Sequence, residues 1–286
     1  MSRVELPETP GLTGLYARAL KRQLPVIGGG GGDALPDTEL VLDAAEVDRD
    51  HLAAYDAVCG FRLSDVAPPT YLHVLAFPLA MRLMTDGDFP FGVMGLVHIA
   101  NRIDQHRAVR AGEAVELRVR ADDLRDHDRG RQFDIVGDAW AGDERVWQDR
   151  STYLRQGKGD PDAKAKRPDP PKAEGLALWS VPGDIGRRYA DVSGDSNPIH
   201  LHGLTARAFG QKSAIAHGMW MKARCLAALE QTLPYAYRVD VAFTSTLGIP
   251  GKATFATDTT KRHRRFALLP PKDGGRPYVV GRITAR

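Results

Sequence analysis

"YADVSGDSNPIHLHG", Tyr189–Gly203, gathers two aspartates, two histidines and an Asn-Pro pair into fifteen residues. A solvated turn needs far less polar chemistry. Gly194 permits a tight bend ahead of Asp195. Pro198 fixes its own φ and restricts Asn197 before it. Such a turn can point the Asp195 carboxylate and the His200 imidazole at one water. Three readings compete on spacing alone. The first is an Asx turn, with Asp195 and Asn197 capping backbone N–H groups. The second is a metal cage drawn from Asp195, His200, His202 and His217. The third is an acid–base pair. Metal is disfavoured because His200 and His202 fall on opposite sides of an extended strand, or are badly placed on a helix, and no cysteine lies nearby. A nucleophile at Ser193 or Ser196 lacks the GxSxG elbow.

Working outward, the chain repeats itself. Each half opens with a short Tyr-bearing helix start, "LAAYDAVCG" at Leu52–Gly60 and "GRRYADVSG" at Gly186–Gly194. Each continues with a long apolar helix, Thr70–Met84 with a kink expected at Pro78, and Ala216–Thr232. Strand-like runs with period-two alternation follow each helix. In the first half they are "GLVHIANRIDQHRAV", "AVELRVRADDLRD", "QFDIVGDAWAG" and "RVWQDRSTYLRQ". In the second they are "YRVDVAFTSTL", "KATFATDTTK", "RFALLP" and "PYVVGRITAR". A helix wrapped by a curved meander leaves an unsatisfied sheet edge, and two such units can join edges and bury both helices. "GKGDPDAKAKRPDPPKAEG", Gly157–Gly175, has four prolines and no large apolar residue, and is expected to be a linker. It divides the chain into an N-terminal unit, 1–156, and a C-terminal unit, 176–286. A further helix is expected over Leu12–Leu24. The glycine run Gly28–Asp33 lacks the Gly-Lys-Ser/Thr of a phosphate loop and is expected to be a flexible break.

The string Ser-Gly-Asp-x-Asn-Pro-x-His within Tyr189–His200 closely resembles the signature of hydratase 2, the (R)-specific enoyl-thioester hydratases of the MaoC-like group. "FGQKSAIAHGMW", Phe209–Trp220, is similar to that family's next motif. The resemblance implies an α+β double hot-dog, in which two long central helices are wrapped by one continuous antiparallel β-sheet. It implies that Asp195 and His200 jointly hold a water, remove its proton and protonate the α-carbon, with Asn197 orienting them. It implies an oxyanion donor at the backbone N–H of Gly218, where helix N-terminal amides lack partners and the macrodipole is positive. Ser193, His217 and Met219 are expected to meet substrate, and His202 to be a surface or wall residue. No metal and no cofactor are implied. Coenzyme A or acyl carrier protein enters only as the carrier of the acyl thioester.

The first half departs from this pattern. At the place of the dyad it reads "VCGFRLSDVAPPTYLHV", Val58–Val74, with no matching pair. Its chemistry is expected to be lost and its helix, through Tyr71, Val74, Leu75, Phe77, Leu79, Ala80 and Met84, to form core and to line space for a medium or long acyl chain. "DFPFGVMGLVH", Asp88–His98, is expected to cap that space. Two alternatives remain: a non-catalytic acyl-thioester-binding hot-dog, which an intact dyad argues against, and a thioesterase, whose usual acid on the long helix is missing from "AHGMWMKARC".

Bulk properties agree with an enzyme of this type. The 286 residues carry a net charge of +3, far from the basic stripe of a nucleic-acid-binding protein. The basic run "KRHRR", Lys261–Arg265, is expected to be a solvated hairpin, or a contact for coenzyme A phosphates or an acidic carrier protein. No apolar run approaches the ~18 residues of a membrane span, and no signal peptide is apparent. Two cysteines, Cys59 and Cys225, cannot make a disulfide framework and are expected to be reduced core filler. A cytoplasmic location is the expectation. Two hot dogs per chain allow a monomer, and a homodimer is a further option.

Overall fold

The computed structural model describes residues 1–22, 34–163, 168–172, 176–260, 263–271 and 274–286. The glycine run lies outside these residues, as do parts of the expected linker and Lys261 and Arg262 of the basic run. In chain order the first half holds β1 (Ser2–Glu5), α1 (Leu12–Lys21), β2 (Thr38–Glu46), α2 (Arg49–Cys59), β3 (Val66–Ala67) and α3 (Pro69–Met84). It continues with β4 (Leu96–Gln105), β5 (Val109–Arg110), β6 (Ala114–His127), β7 (Gly130–Ala141) and β8 (Glu144–Gln156). The second half holds β9 (Ala177–Val181), α4 (Ile185–Ser193), α5 (Pro198–Leu201), α6 (Gly203–Ala208) and α7 (Gly218–Leu229). A short 3-10 turn, Glu230–Thr232, leads to β10 (Tyr237–Phe243), β11 (Gly251–Thr259), β12 (Arg264–Leu269) and β13 (Val279–Ala285).

Eleven strands form one sheet in the order β1-β2-β6-β7-β8-β4-β10-β13-β12-β11-β9. The two halves meet where β4 pairs antiparallel with β10, in a register running from Tyr237 opposite Gln105 to Ala242 opposite Ala100. The sheet is antiparallel except at one edge, where β1 runs parallel to β2. That edge departs from the all-antiparallel expectation, because the short β1 precedes the repeat and simply extends its free side. β9 covers the opposite edge by pairing with β11.

Helices α3 and α7 are the two wrapped helices. α3 starts at Pro69, where a missing N–H costs nothing. It runs on through Pro78 rather than breaking there, with the flanking Phe77, Leu79, Ala80 and Met81 all buried. α7 is shorter than the sequence suggests. His217 stays extended as its N-cap, and the helix tightens into the 3-10 turn after Leu229. Cys59 and Cys225 are both free and buried, and burial pushes both thiols up, which leaves them inert filler.

The seam between the halves is polar inside. Lys222 of α7 is fully buried and donates to Asn101 Oδ1 of β4 and, at 3.4 Å, to the Val239 carbonyl of β10. Asn101 Nδ2 in turn donates to Asp149 Oδ1 and, at 2.9 Å, to Ser151 Oγ on β8. His73 of α3 closes the chain, its Nδ1 lying 2.7 Å from Asp149 Oδ2. Thus one network stitches both central helices to three strands. Burial lowers the Lys222 ammonium to about 7, against the opposing pull of Asp149, Asp240 and Asp104. The unfolded chain therefore holds this proton from pH 7 up to about 10, where the folded chain does not, so this group makes stability rise with pH across that window. The stability advantage of the wild type over Lys222→Met is expected to grow between pH 7 and 10 in denaturant titrations. A constant difference would show that Lys222 titrates normally.

Candidate active site

One cavity of about 350 Å³ receives side chains from both halves. Ser193, Asp195, Asn197, His200, His217, Gly218 and Met219 all line it, so every residue the sequence nominated for the site reaches one space. His202 does not; it caps the short α5 and is exposed.

Local backbone chemistry builds this convergence. α4 ends at Gly194, whose φ of 72° is left-handed and turns the chain sharply into Asp195. Asp195 Oδ1 accepts from the Asn197 N–H at 3.3 Å, and Asn197 Oδ1 accepts from the Ile199 N–H at 3.3 Å. Both are Asx turns, so the turn reading and the acid–base reading describe the same segment. Asn197 thereby orients the pair differently from expectation. Its backbone fixes the carboxylate, while its side chain is spent capping α5, the one-turn helix that carries His200. That helix replaces the extended segment considered for His200. Ser193 Oγ accepts from the Asp195 N–H at 3.2 Å and steadies the bend.

His200 Nδ1 donates to the Ile215 carbonyl at 2.8 Å, which leaves Nε2 with its lone pair. His217 Nε2 donates to the Asp195 carbonyl at 2.9 Å, and its ring stacks on His200 with centroids 3.7 Å apart. Burial lowers both imidazoles, His217 to about 3, against the pull of Asp195. Both rings are therefore neutral at pH 7. Burial also acts to raise the Asp195 carboxyl, but the His217 and His200 rings and hydrogen bonds from Tyr16 and Asn197 outweigh it, and the group stays ionised below the usual carboxylate range.

Polar atoms of Asp195, His200 and His217 lie within 4.8 Å of one another. That spacing suits one small species held between them. A metal ion would have to displace the hydrogen bond that His217 Nε2 already makes, or draw on its buried, unpartnered Nδ1. A water needs only the Asp195 Oδ2 and His200 Nε2 lone pairs. Beside them, the N-cap His217 makes no side-chain bond to the start of α7, whose first N–H groups have no intrahelical partners. A Cβ at Gly218 would lie 3.2 Å from the Phe243 ring, so glycine keeps this approach open.

The apolar wall opposite these groups comes largely from the first half. Val74, Phe77, Met81 and Met84 of α3 face it, together with Val93, Met94 and Leu96 from the segment after α3. Of the other helix residues considered, Tyr71, Leu79 and Ala80 are plain core and Leu75 packs against it. Polar residues that no motif marked also reach this space. His73, His98 and Tyr153 border the same space, and Tyr16 of α1 donates to Asp195 Oδ1 at 2.9 Å. No motif marks Tyr16; it lies 179 residues from its partner. Among the described residues of the basic run, Arg265 is tied to Asp258 and Arg264 to Thr232, and none lines the cavity.

Among the described residues no helix is long and apolar enough to cross a membrane. Residues 172–256 match the family model described as a MaoC-like domain. The chain is 38% identical over 242 residues to 3-hydroxyacyl-thioester dehydratase X of Mycobacterium tuberculosis, covering 82% of this chain and 85% of that protein. The crystal structure of HtdX from the same organism superposes with a TM-score of 0.76 at 33% identity, over 87% of this chain and all of the other. A second M. tuberculosis protein, described as having a double hot-dog fold, matches at TM-score 0.55 and 13% identity, over 86% of this chain and 94% of the other, a likeness of fold alone. With its two wrapped helices, its eleven-stranded sheet and its 38% identity to the dehydratase across most of both chains, this chain belongs to the MaoC-like dehydratase family.

Proposed function

We propose that the chain is a hydro-lyase that interconverts trans-2-enoyl thioesters and (R)-3-hydroxyacyl thioesters. The observation that carries this reading is the meeting of an ionised carboxylate, a neutral imidazole and a helix N-terminus in one cavity. In the hydration direction, a water sits between Asp195 Oδ2 and His200 Nε2. Its oxygen bonds to the β-carbon while one member of the pair takes its proton. A proton passes from the pair to the α-carbon, so that H and OH are added and the pair ends as it began. Negative charge grows on the thioester oxygen as the double bond polarises, and the Gly218 N–H donates to it. The (R) product and the joint roles of the pair follow from family membership. His217 holds the Asp195 backbone and the His200 ring in place. A thioesterase is less well supported, since α7 carries no acid.

The acyl chain would extend along the α3 stripe of Val74, Phe77, Met81 and Met84. This wall favours medium and long chains by apolar burial. Either coenzyme A or acyl carrier protein would serve as carrier of the thioester.

Loss of enoyl-thioester absorbance is the direct assay. Asp195→Asn and His200→Gln are each expected to lower turnover by two to four decades, with folding unchanged. Release of free coenzyme A in place of the hydration signal would establish a thioesterase. Dodecenoyl-coenzyme A is expected to outperform crotonyl-coenzyme A in kcat/KM, and the reverse order would refute the chain-length reading. Activity is expected to survive exhaustive chelation; loss on chelation with recovery on adding a divalent ion would mean that Asp195, His200 and His217 hold a metal.

A further inference from the structure

We infer that Tyr16, on the N-terminal helix α1, is a positioning residue for Asp195, so that the first helix of the chain completes the active site of its second half. The inference rests on the hydration reading above and goes beyond the family-matched residues 172–256, which do not include α1.

The geometry is specific. Tyr16 Oη donates to Asp195 Oδ1 at 2.9 Å, and the Asn197 N–H donates to the same oxygen at 3.3 Å. Two donors thus occupy Oδ1. Among the described residues Oδ2 makes no comparable bond; His217 Nε2 lies 3.9 Å from it. The two oxygens of one carboxylate are made inequivalent, and the one left with open lone pairs is the one that can meet a water shared with His200. Without Tyr16, Oδ1 would keep a single donor, from a peptide that is itself part of the same turn, and the carboxylate could rotate about its χ2 with little penalty.

The helix is held in place for this task. Leu15 and Ala19 are buried, and Arg22 at its end donates to the backbone carbonyls of Asp86 and Phe89 beyond α3. Leu12 sits against Gly194, where an added Cβ would collide with its Cδ1, so α1 closes directly over the bend that aims Asp195. Tyr16 also lines the cavity. Burial and the adjacent Asp195 charge push its hydroxyl far above the ordinary phenol range, so it remains a donor throughout the working pH range.

The ionisable groups around Asp195 come from several elements. They are Tyr16 from α1, Tyr189 from α4, His200 from α5, His217 ahead of α7, Tyr153 from β8 and His98 from β4. Of the three tyrosines, Tyr16 is the one bonded to the carboxylate. Removing its hydroxyl removes a donor that favours the charged form, so the carboxyl must become easier to protonate and the acidic limb of the rate profile must move to higher pH.

The test compares wild type, Tyr16→Phe and Arg22→Met over pH 2.5 to 8, a span that reaches the limb of a carboxyl held below the usual range, with a single trans-2-enoyl-coenzyme A. Tyr16→Phe keeps the ring and its packing. It is expected to lower kcat about tenfold, the usual scale for one hydrogen bond to a charged group, with KM changed less than about twofold and the acidic limb shifted upward. Arg22→Met loosens the same helix without touching the bond and is expected to leave the limb at the wild-type position. Tyr16→Phe with wild-type kcat and limb would overturn the inference. So would an identical limb shift in both variants, which would assign the effect to helix packing. An inactive wild type would overturn the hydration reading itself, and this inference with it.

Discussion

The backbone pairing of β4 with β10 is the constraint on which the rest depends. It converts two half-sheets, each with an exposed edge, into one surface long enough to wrap two helices. Because the pairing is antiparallel and in fixed register, it also fixes where α3 lies relative to α7. The apolar stripe of one half then becomes a wall for the polar turn of the other. Neither half could make this cavity alone: the first lacks the carboxylate and imidazole, and the second lacks Val74, Phe77, Met81 and Met84.

The seam is held by more than strand pairing. The buried chain Lys222, Asn101, Asp149 and His73 crosses from α7 to β4, β8 and α3. Charges this deep are tolerable only when each meets a partner. Such a network adds directionality that apolar packing does not, because its bonds are lost on a small slip of one helix past the other. Within the cavity a similar economy holds. Burial disfavours charge on every group, yet Asp195 keeps its charge because a phenol and a peptide N–H donate to its carboxylate. Keeping the histidines neutral and the aspartate charged gives a pair that can accept a proton from water and return one.

Legibility in the sequence followed interaction range. The dyad was legible because its geometry is local. Gly194, Asn197 and Pro198 act on their immediate neighbours, and the Asx turns they form span two residues each. The two long helices and the strands β6, β7 and β8 were legible from periodicity. The strand β2, Thr38–Glu46, escaped notice because "TELVLDAAE" alternates poorly and its burial follows no clean period. The ends of α7 moved inward for a related reason. His217 is drawn out of the helix to donate to the Asp195 carbonyl, a partner that propensity cannot see.

What the sequence by itself determined is the chemistry: an acid and an imidazole on one stiffened turn, a glycine at the start of an apolar helix, and a duplicated helix-and-strand pattern that asks to be joined edge to edge. Those features depend on neighbours a few residues apart, or on periodicity within one element. What only the tertiary structure decided is the company this chemistry keeps. Tyr16 at Asp195, His73 at Asp149 and Lys222 at Asn101 join residues tens to hundreds of positions apart. Such contacts carry no spacing signal, because they exist only once the sheet has closed at its seam and brought distant side chains within hydrogen-bonding reach.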